Sequence, residues 1–215
     1  MTTSASALPR LPRWLVHFLL KPANWAPAMF WFFLVIFQVA SAIEYPGVPT
    51  FGLVAINVVA LTLFVTRRDA SRVGAFWEGA LAVAGTFVVS LLLIASNSGG
   101  ATLHDAPVLP TAIQCAGIIG WAISLMALGR SLGIAPADRG LVRHGPYNYI
   151  RHPIYAFEGL FFLGWLIAYP TIGNAVVIAA WAALQIARIV REEKILNGYD
   201  DYRQTVRWRI IPFVW

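Results

Sequence analysis

Chemistry in this chain gathers at two polar clusters set against long apolar runs. The first is Leu141-Val142-Arg143-His144-Gly145-Pro146-Tyr147-Asn148-Tyr149-Ile150-Arg151-His152-Pro153-Ile154-Tyr155. Pro153 fixes its own φ, biases His152 toward an extended conformation, and is well placed to open a helix. First-turn N–H groups at such a start favour a carboxylate or a phosphate. Tyr147, Tyr149 and Tyr155 add aromatic faces that can stack on a base or lie near a cation. A second reading of the same residues stays open, in which Arg151 grips lipid headgroups and the tyrosines form an interfacial belt.

The second cluster is Arg188, Arg191, Glu192 and Glu193. Arg188 and Glu192 are four residues apart and share a helix face, where an exposed pair adds only a few tenths of a kcal/mol. Arg188, however, falls inside the apolar stretch 183–190, where a charge is costly unless it faces a cavity or a partner. The two clusters together point to one pocket where membrane helices meet water. Glu78 and Glu158 lie near expected helix starts and complement the dipole there, although Glu158 is close enough to the motif to reach the pocket. Gln38, Asn57 and Gln185 are expected to make interhelical hydrogen bonds. His17, His104 and His144 lack ligand spacing and His152 argues for ligation only weakly; there is no HExxH, CxxC, glycine-rich nucleotide loop or serine elbow, so no metal or hydrolase site is expected.

The elements that must position these residues are membrane helices. Hydrophobic residues make up 59% of the 215-residue chain and charged residues 12%, with a mean hydropathy of +0.67. Soluble domains hold roughly 45–50% apolar residues. Apolar runs near the ~20 residues that cross a bilayer cover 25–43, 48–66, 75–95 and 109–129. Shorter runs follow at 154–169 and 175–190, joined by Pro170-Thr171-Ile172-Gly173-Asn174. The expected fold is an all-α polytopic bundle of about five to six transmembrane helices ending in a helical hairpin. Residues 1–24 form an N-terminal segment whose stretch from Leu8 to Lys21 reads as an interfacial amphipathic anchor. Residues 25–129 then carry four helices, and 130–215 the polar site region.

Lys and Arg precede the first run, follow the second and fourth, and fill the C-terminal tail, while the intervening loops hold Glu44, His104 and Asp105. That asymmetry predicts cytoplasmic termini and a cytoplasmic site in a bacterial-type inner or plasma membrane. The net charge of +6 is accounted for by this rule and by contact with anionic membrane lipids, so no nucleic-acid partner is needed. The N-terminus has no secretory cleavage site. Cys115 is single and cannot form an intrachain disulfide.

GPYNYIRHPIY, then a hairpin, then REEKIL and the tail YDDYRQTVRWRIIP, resemble the isoprenylcysteine carboxyl methyltransferase family, which is related to membrane phospholipid N-methyltransferases. The resemblance spans 128–212. It implies S-adenosyl-L-methionine as cofactor, bound by Arg139, Gly140, Leu141, Val142, Tyr147, His152, Pro153, Ile154, Tyr155 and Glu192. It also implies that Arg188 faces the substrate as the catalytic and substrate-binding residue, with no metal. The implied acceptor is a lipophilic or lipid-anchored carboxylate, thiol or amine; the oligomeric state is not readable. The family usually has Gly where this chain has Phe157, so a narrowed pocket or altered substrate entry is expected. The stretch between Leu196 and Tyr199 is shorter than in eukaryotic members. The alternatives are a membrane NADPH-dependent reductase of the sterol type, whose C-terminal region shares the RHPxY pattern, and a non-enzymatic lipid-binding protein.

Overall fold

The computed structural model describes residue 15 and residues 25–44, 46–83, 85 and 107–215. The expected N-terminal anchor (Leu15 apart), most of the third span and the His104–Asp105 loop lie outside the described residues. Helices α1 (Trp25–Glu44) and α2 (Val48–Val65) form the first hairpin. A two-residue strand β1 (Arg72–Val73) and helix α3 (Phe76–Val83) follow. Helix α4 (Val108–Leu128) ends in the 3-10 turn Gly129–Ser131 and leads to β2 (Ala137–Asp138) and a second 3-10 turn, Gly145–Asn148. Then come α5 (Pro153–Ala168), α6 (Ile172–Ile195) and α7 (Tyr199–Thr205).

Among the described residues four helices are long and apolar enough to cross a membrane, within α1, α2, α6 and the stretch 108–131. At 16 residues, α5 rises only about 24 Å, less than the ~30 Å hydrocarbon core. Phe32, Phe33, Ile43, Ile119, Met126 and Val176 are exposed on the outside, a lipid-facing surface for which a water-facing protein would have no use.

Local chemistry accounts for the helix ends. Pro49 and Pro153 sit in the first turns of α2 and α5, where a missing N–H costs nothing. Gly129 closes α4 at φ +53, a conformation that penalises residues with a Cβ. The last hairpin departs from expectation. Its second helix begins at Ile172, because the Thr171 hydroxyl caps it by accepting from the Asn174 N–H at 3.0 Å. The Asn174 side chain in turn donates to the Tyr169 carbonyl at 2.9 Å. Ile172, Gly173 and Asn174 thus form the first turn of α6, not the end of the loop, and the helix continues through Arg191-Glu192-Glu193-Lys194 for 24 residues.

Close packing of α4 on α5 sets the depth of the site. A Cβ on Gly117 would fall 2.6 Å from the Phe161 backbone nitrogen, and one on Gly164 would fall 2.9 Å from the Pro110 carbonyl oxygen. Small residues of this kind let membrane helices approach backbone to backbone. The Phe157 ring lies against Gly120. Around this pair, Trp31, Leu34, Phe64, Leu125, Phe161, Phe162 and Trp181 build the apolar core. A smaller core of Tyr199, Tyr202 and Val206 packs with Leu141 and Leu196 under the tail.

Candidate active site

Strands β1 and β2 pair antiparallel, Arg72 opposite Asp138 and Val73 opposite Ala137, and so tie the α2 end to the loop after α4. Asp138 organises that loop. Its carboxylate accepts from the Gly140 N–H at 3.1 Å, the Ser71 hydroxyl at 2.9 Å and the Asn197 amide. Burial opposes the charged form, but these donors outweigh it and hold the carboxyl below its ordinary range. Gly140 can follow because its φ of +97 suits glycine.

The RHPIY segment is fixed from the C-terminal tail. The Arg151 N–H donates to the Trp208 carbonyl at 2.8 Å and the His152 N–H to the Arg209 carbonyl at 2.9 Å. His152 then forms the N-cap of α5. The Tyr202 hydroxyl donates to the Tyr147 carbonyl at 2.6 Å, and Tyr147 is buried against this framework. Burial, with Glu192 and Tyr202 adding to it, pushes the Tyr147 hydroxyl well above its ordinary range.

The paired glutamates divide the work. Glu192 accepts from Arg188 Nε at 2.9 Å and from the Tyr155 hydroxyl at 3.0 Å, while Arg188 Nη2 donates to the Gly133 carbonyl at 2.8 Å. The Arg188 guanidinium lies 5.4 Å above the Tyr155 ring centre. Glu193 accepts two parallel hydrogen bonds from Arg209, both at 2.9 Å, and one from the Tyr199 hydroxyl at 2.6 Å. Arg151 Nη1 and His152 Nε2 lie 3.4 and 3.3 Å from the same carboxylate. Glu192 therefore faces inward, and Glu193 clamps the tail to the motif.

A cavity of about 700 Å³ joins these groups to the interior of the bundle. Arg139, Gly140, Leu141, Val142, Tyr147, His152, Ile154, Tyr155, Arg188 and Glu192 all line it. Pro153 does not; it is fully buried beneath the helix start. Arg191 leaves the cluster, pairing with Glu78 at 3.5 Å and lying 4.8 Å above the Trp77 ring. Tyr149 points outward, 77% exposed. Phe157 is packed on Gly120 and lines no part of the cavity; the expected narrowing does not occur, because the missing Cβ of Gly120 receives the ring. Asn57 accepts from Trp31 Nε1 at 2.8 Å, the expected interhelical bond. The Gln38 side-chain oxygen is buried and accepts no such bond among the described residues.

Asp138 escaped sequence reasoning, and Glu193 and Glu158 were named there without the roles they take. Asp138 sits in an irregular loop with no periodic signal. Glu193 owes its role to a tail remote in sequence, and only the presence of two adjacent glutamates hinted at it. Glu158, buried in the second turn of α5, is past the helix start where a dipole role would place it; it reaches the pocket, as its closeness to the motif suggested, and lines the cavity within electrostatic reach of Arg188.

A polytopic helical membrane protein with a charged, enclosed pole opening into an apolar cavity is a class suited to joining a polar ligand to a lipophilic one. The family model described as PEMT, phospholipid methyltransferase, matches residues 111–199. Over that stretch, which is less than half of the chain, the protein is similar to this membrane methyltransferase family, itself related to the isoprenylcysteine carboxyl methyltransferases. The matched region runs from the first turn of α4 to the start of α7 and holds every cavity residue expected from the motifs. No curated protein matches the chain.

Proposed function

We propose that the protein transfers a methyl group from S-adenosyl-L-methionine to a lipophilic acceptor drawn from the membrane. One observation carries this reading: a single cavity connects the polar pole around Glu192 to an apolar arm walled by α1, α2, α4 and α5. The polar pole has the donors and acceptors that the cofactor requires. Arg139 Nε and Arg151 Nε are buried there without a partner among the described residues, so a carboxylate would give these two N–H groups an acceptor. Tyr147 and Tyr155 offer aromatic surface for a base, and Glu192 can accept from hydroxyl or ammonium groups.

When bound, the cofactor supplies the methyl: the acceptor's lone pair forms the new bond to carbon as the carbon–sulfur bond breaks and its pair returns to sulfur. The residues here need to hold the reacting atoms in line and keep water out. Arg188 stands where pole and arm meet, fixed by Glu192 and the Gly133 carbonyl. A guanidinium at that junction orients an acceptor through its lone pairs or negative charge. Leu128, Ile154 and Phe161 line the arm and exclude water from the reaction. The cytoplasmic placement of this pole belongs to the same proposal and follows from the Arg-rich loops around it.

Calorimetric titration of detergent-purified protein with S-adenosylmethionine, S-adenosylhomocysteine and NADPH tests the reading. Saturable binding of both adenosyl ligands with NADPH silent is expected. Arg188→Ala should lower turnover of a labelled methyl group at least a hundredfold and leave S-adenosylhomocysteine affinity within a few-fold. Glu192→Gln should weaken that affinity instead. Near-normal turnover in Arg188→Ala would remove Arg188 from the acceptor site, and binding of NADPH alone would move the protein to reductase chemistry.

A further inference from the structure

The far end of the cavity is polar. Buried there without hydrogen-bond partners among the described residues are the Gln38 side-chain oxygen, Thr50 Oγ1, both amide atoms of Gln114 and Trp165 Nε1. All four residues line the cavity. Gln114 is 0% exposed and Thr50 8%.

Three contacts place these groups at one level of the bundle, although they come from four helices. The Trp31–Asn57 hydrogen bond of 2.8 Å pins α1 against α2. Two helical turns onward along α1 and two back along antiparallel α2 bring Gln38 level with Thr50, about 10 Å deeper on both helices. A Cβ on Gly52 would meet the Ile118 side chain at 2.9 Å, so α2 and the parallel α4 are in register there. Thr50 and Gln114 then differ in height by only about 3 Å. Gly164 packs on Gln114, its Cβ position 2.8 Å from Gln114 Cγ, and Trp165 is the next residue of α5. From Tyr155, where Arg188 lies, to Gly164 is about 13 Å along α5. The stretch between is apolar apart from Glu158 near its beginning.

A buried polar atom left without a partner is destabilising, and this belt has five. Such a concentration around one cavity level is a burden on the empty protein that a matched ligand group removes. The side chains of the belt itself carry no charge and offer both donors and acceptors; Glu44, almost two turns further along α1, also lines the cavity. We infer that it is a second recognition site for the distal end of the acceptor: an uncharged hydroxyl, carbonyl or amide separated from the methylated end by a medium-length apolar chain. This rests on the methyltransferase reading for what happens at the other end. A plain alkyl tail would leave all five atoms unsatisfied and should be discriminated against on that ground.

The test uses dodecanoate and 12-hydroxydodecanoate, titrated calorimetrically into the full chain with and without S-adenosylhomocysteine. The hydroxylated probe should bind about tenfold tighter, the increment of one satisfied hydrogen bond. Gln114→Leu should reduce the preference to within twofold while raising the melting temperature of the empty protein, since it removes unsatisfied amide atoms. Thr50→Val, nearly isosteric, should narrow the preference in the same direction. A polar group that only supports the fold would do the opposite, lowering the melting temperature and weakening both probes alike. Equal affinity for the two probes, a preference that survives both variants, or no saturable binding of either probe would overturn the inference. Adenosyl-ligand binding alongside equal probe affinities would leave the methyltransferase reading standing. A hydroxyl preference in a protein that ignores the adenosyl ligand would do the reverse.

Discussion

Adjacent glutamates on one helix point about 100° apart, and here that angle separates a cavity-facing group from a structural one. Glu193 binds Arg209 through both oxygens and accepts from Tyr199 as well. Its removal leaves a partly buried Arg209 and Arg151 without their shared anion. Glu193→Gln should therefore cost about 2–4 kcal/mol of stability, seen as a lower melting temperature in detergent. Cofactor affinity measured well below the melt should stay near wild type. Asp138 makes a pH-dependent contribution of a different kind. Its folded-state pKa lies below the ordinary value, so the native state favours the carboxylate. The resulting stabilisation is complete above the unfolded-state value of about 3.9 and is lost as pH falls through the lower folded value. The stability gap between wild type and Asp138→Asn should then be constant from pH 7 to 5 and shrink below pH 4. A gap independent of pH would mean that the Ser71, Gly140 and Asn197 donors do not select the charged form.

At the level of elements, the boundaries most easily read were those set by local chemistry. Runs beginning at Trp25 and Val48 became helices at the expected residues, since hydropathy and proline position decide them. The start of α6 was misplaced because Gly173 and Asn174 are turn formers in isolation, and only the Thr171 cap with its Tyr169 tether makes them helical. Packing of α4 on α5 was not legible at all. It depends on Gly117, Gly120 and Gly164 meeting specific partners some forty to fifty positions away in the chain, and no periodic signal marks a glycine as a contact. Phe157 shows the consequence. Read alone it threatened the pocket, whereas against Gly120 it fills a groove. That pairing is testable as a cycle: Gly120→Ala should destabilise by about 1–3 kcal/mol through collision with the ring, and Phe157→Ala by a similar amount through the void it leaves. The double variant should cost less than the sum by about 1 kcal/mol or more, the sign of direct coupling. Strict additivity would separate the two residues.

For the whole molecule, the helix directions bring one set of loops together, and those loops carry the positive charge. The Arg68 N–H donates to the Arg130 carbonyl at 2.8 Å and Arg130 Nε to the Thr66 carbonyl at 2.6 Å, so the ends of α2 and α4 meet. Arg139, Arg143, Arg151, Arg207 and Arg209 belong to the same pole through the β1–β2 pairing and the tail. Glu44 ends α1 at the opposite pole. With the cavity's charged end on the arginine side and its uncharged belt toward the Glu44 side, the site is asymmetric along the same axis as the loops. Under the proposed function, the positive-inside rule would put the charged end at the cytoplasm, where an adenosyl ligand would be met, and the acceptor would enter through the apolar walls. In a Cys115→Ala background, Glu44→Cys should react with a membrane-impermeant maleimide in intact cells, and Arg203→Cys only after permeabilisation. The reverse pattern would put the charged pole outside, away from any cytoplasmic source of methyl donor. The proposed activity would then fail on topology even if purified protein bound the cofactor.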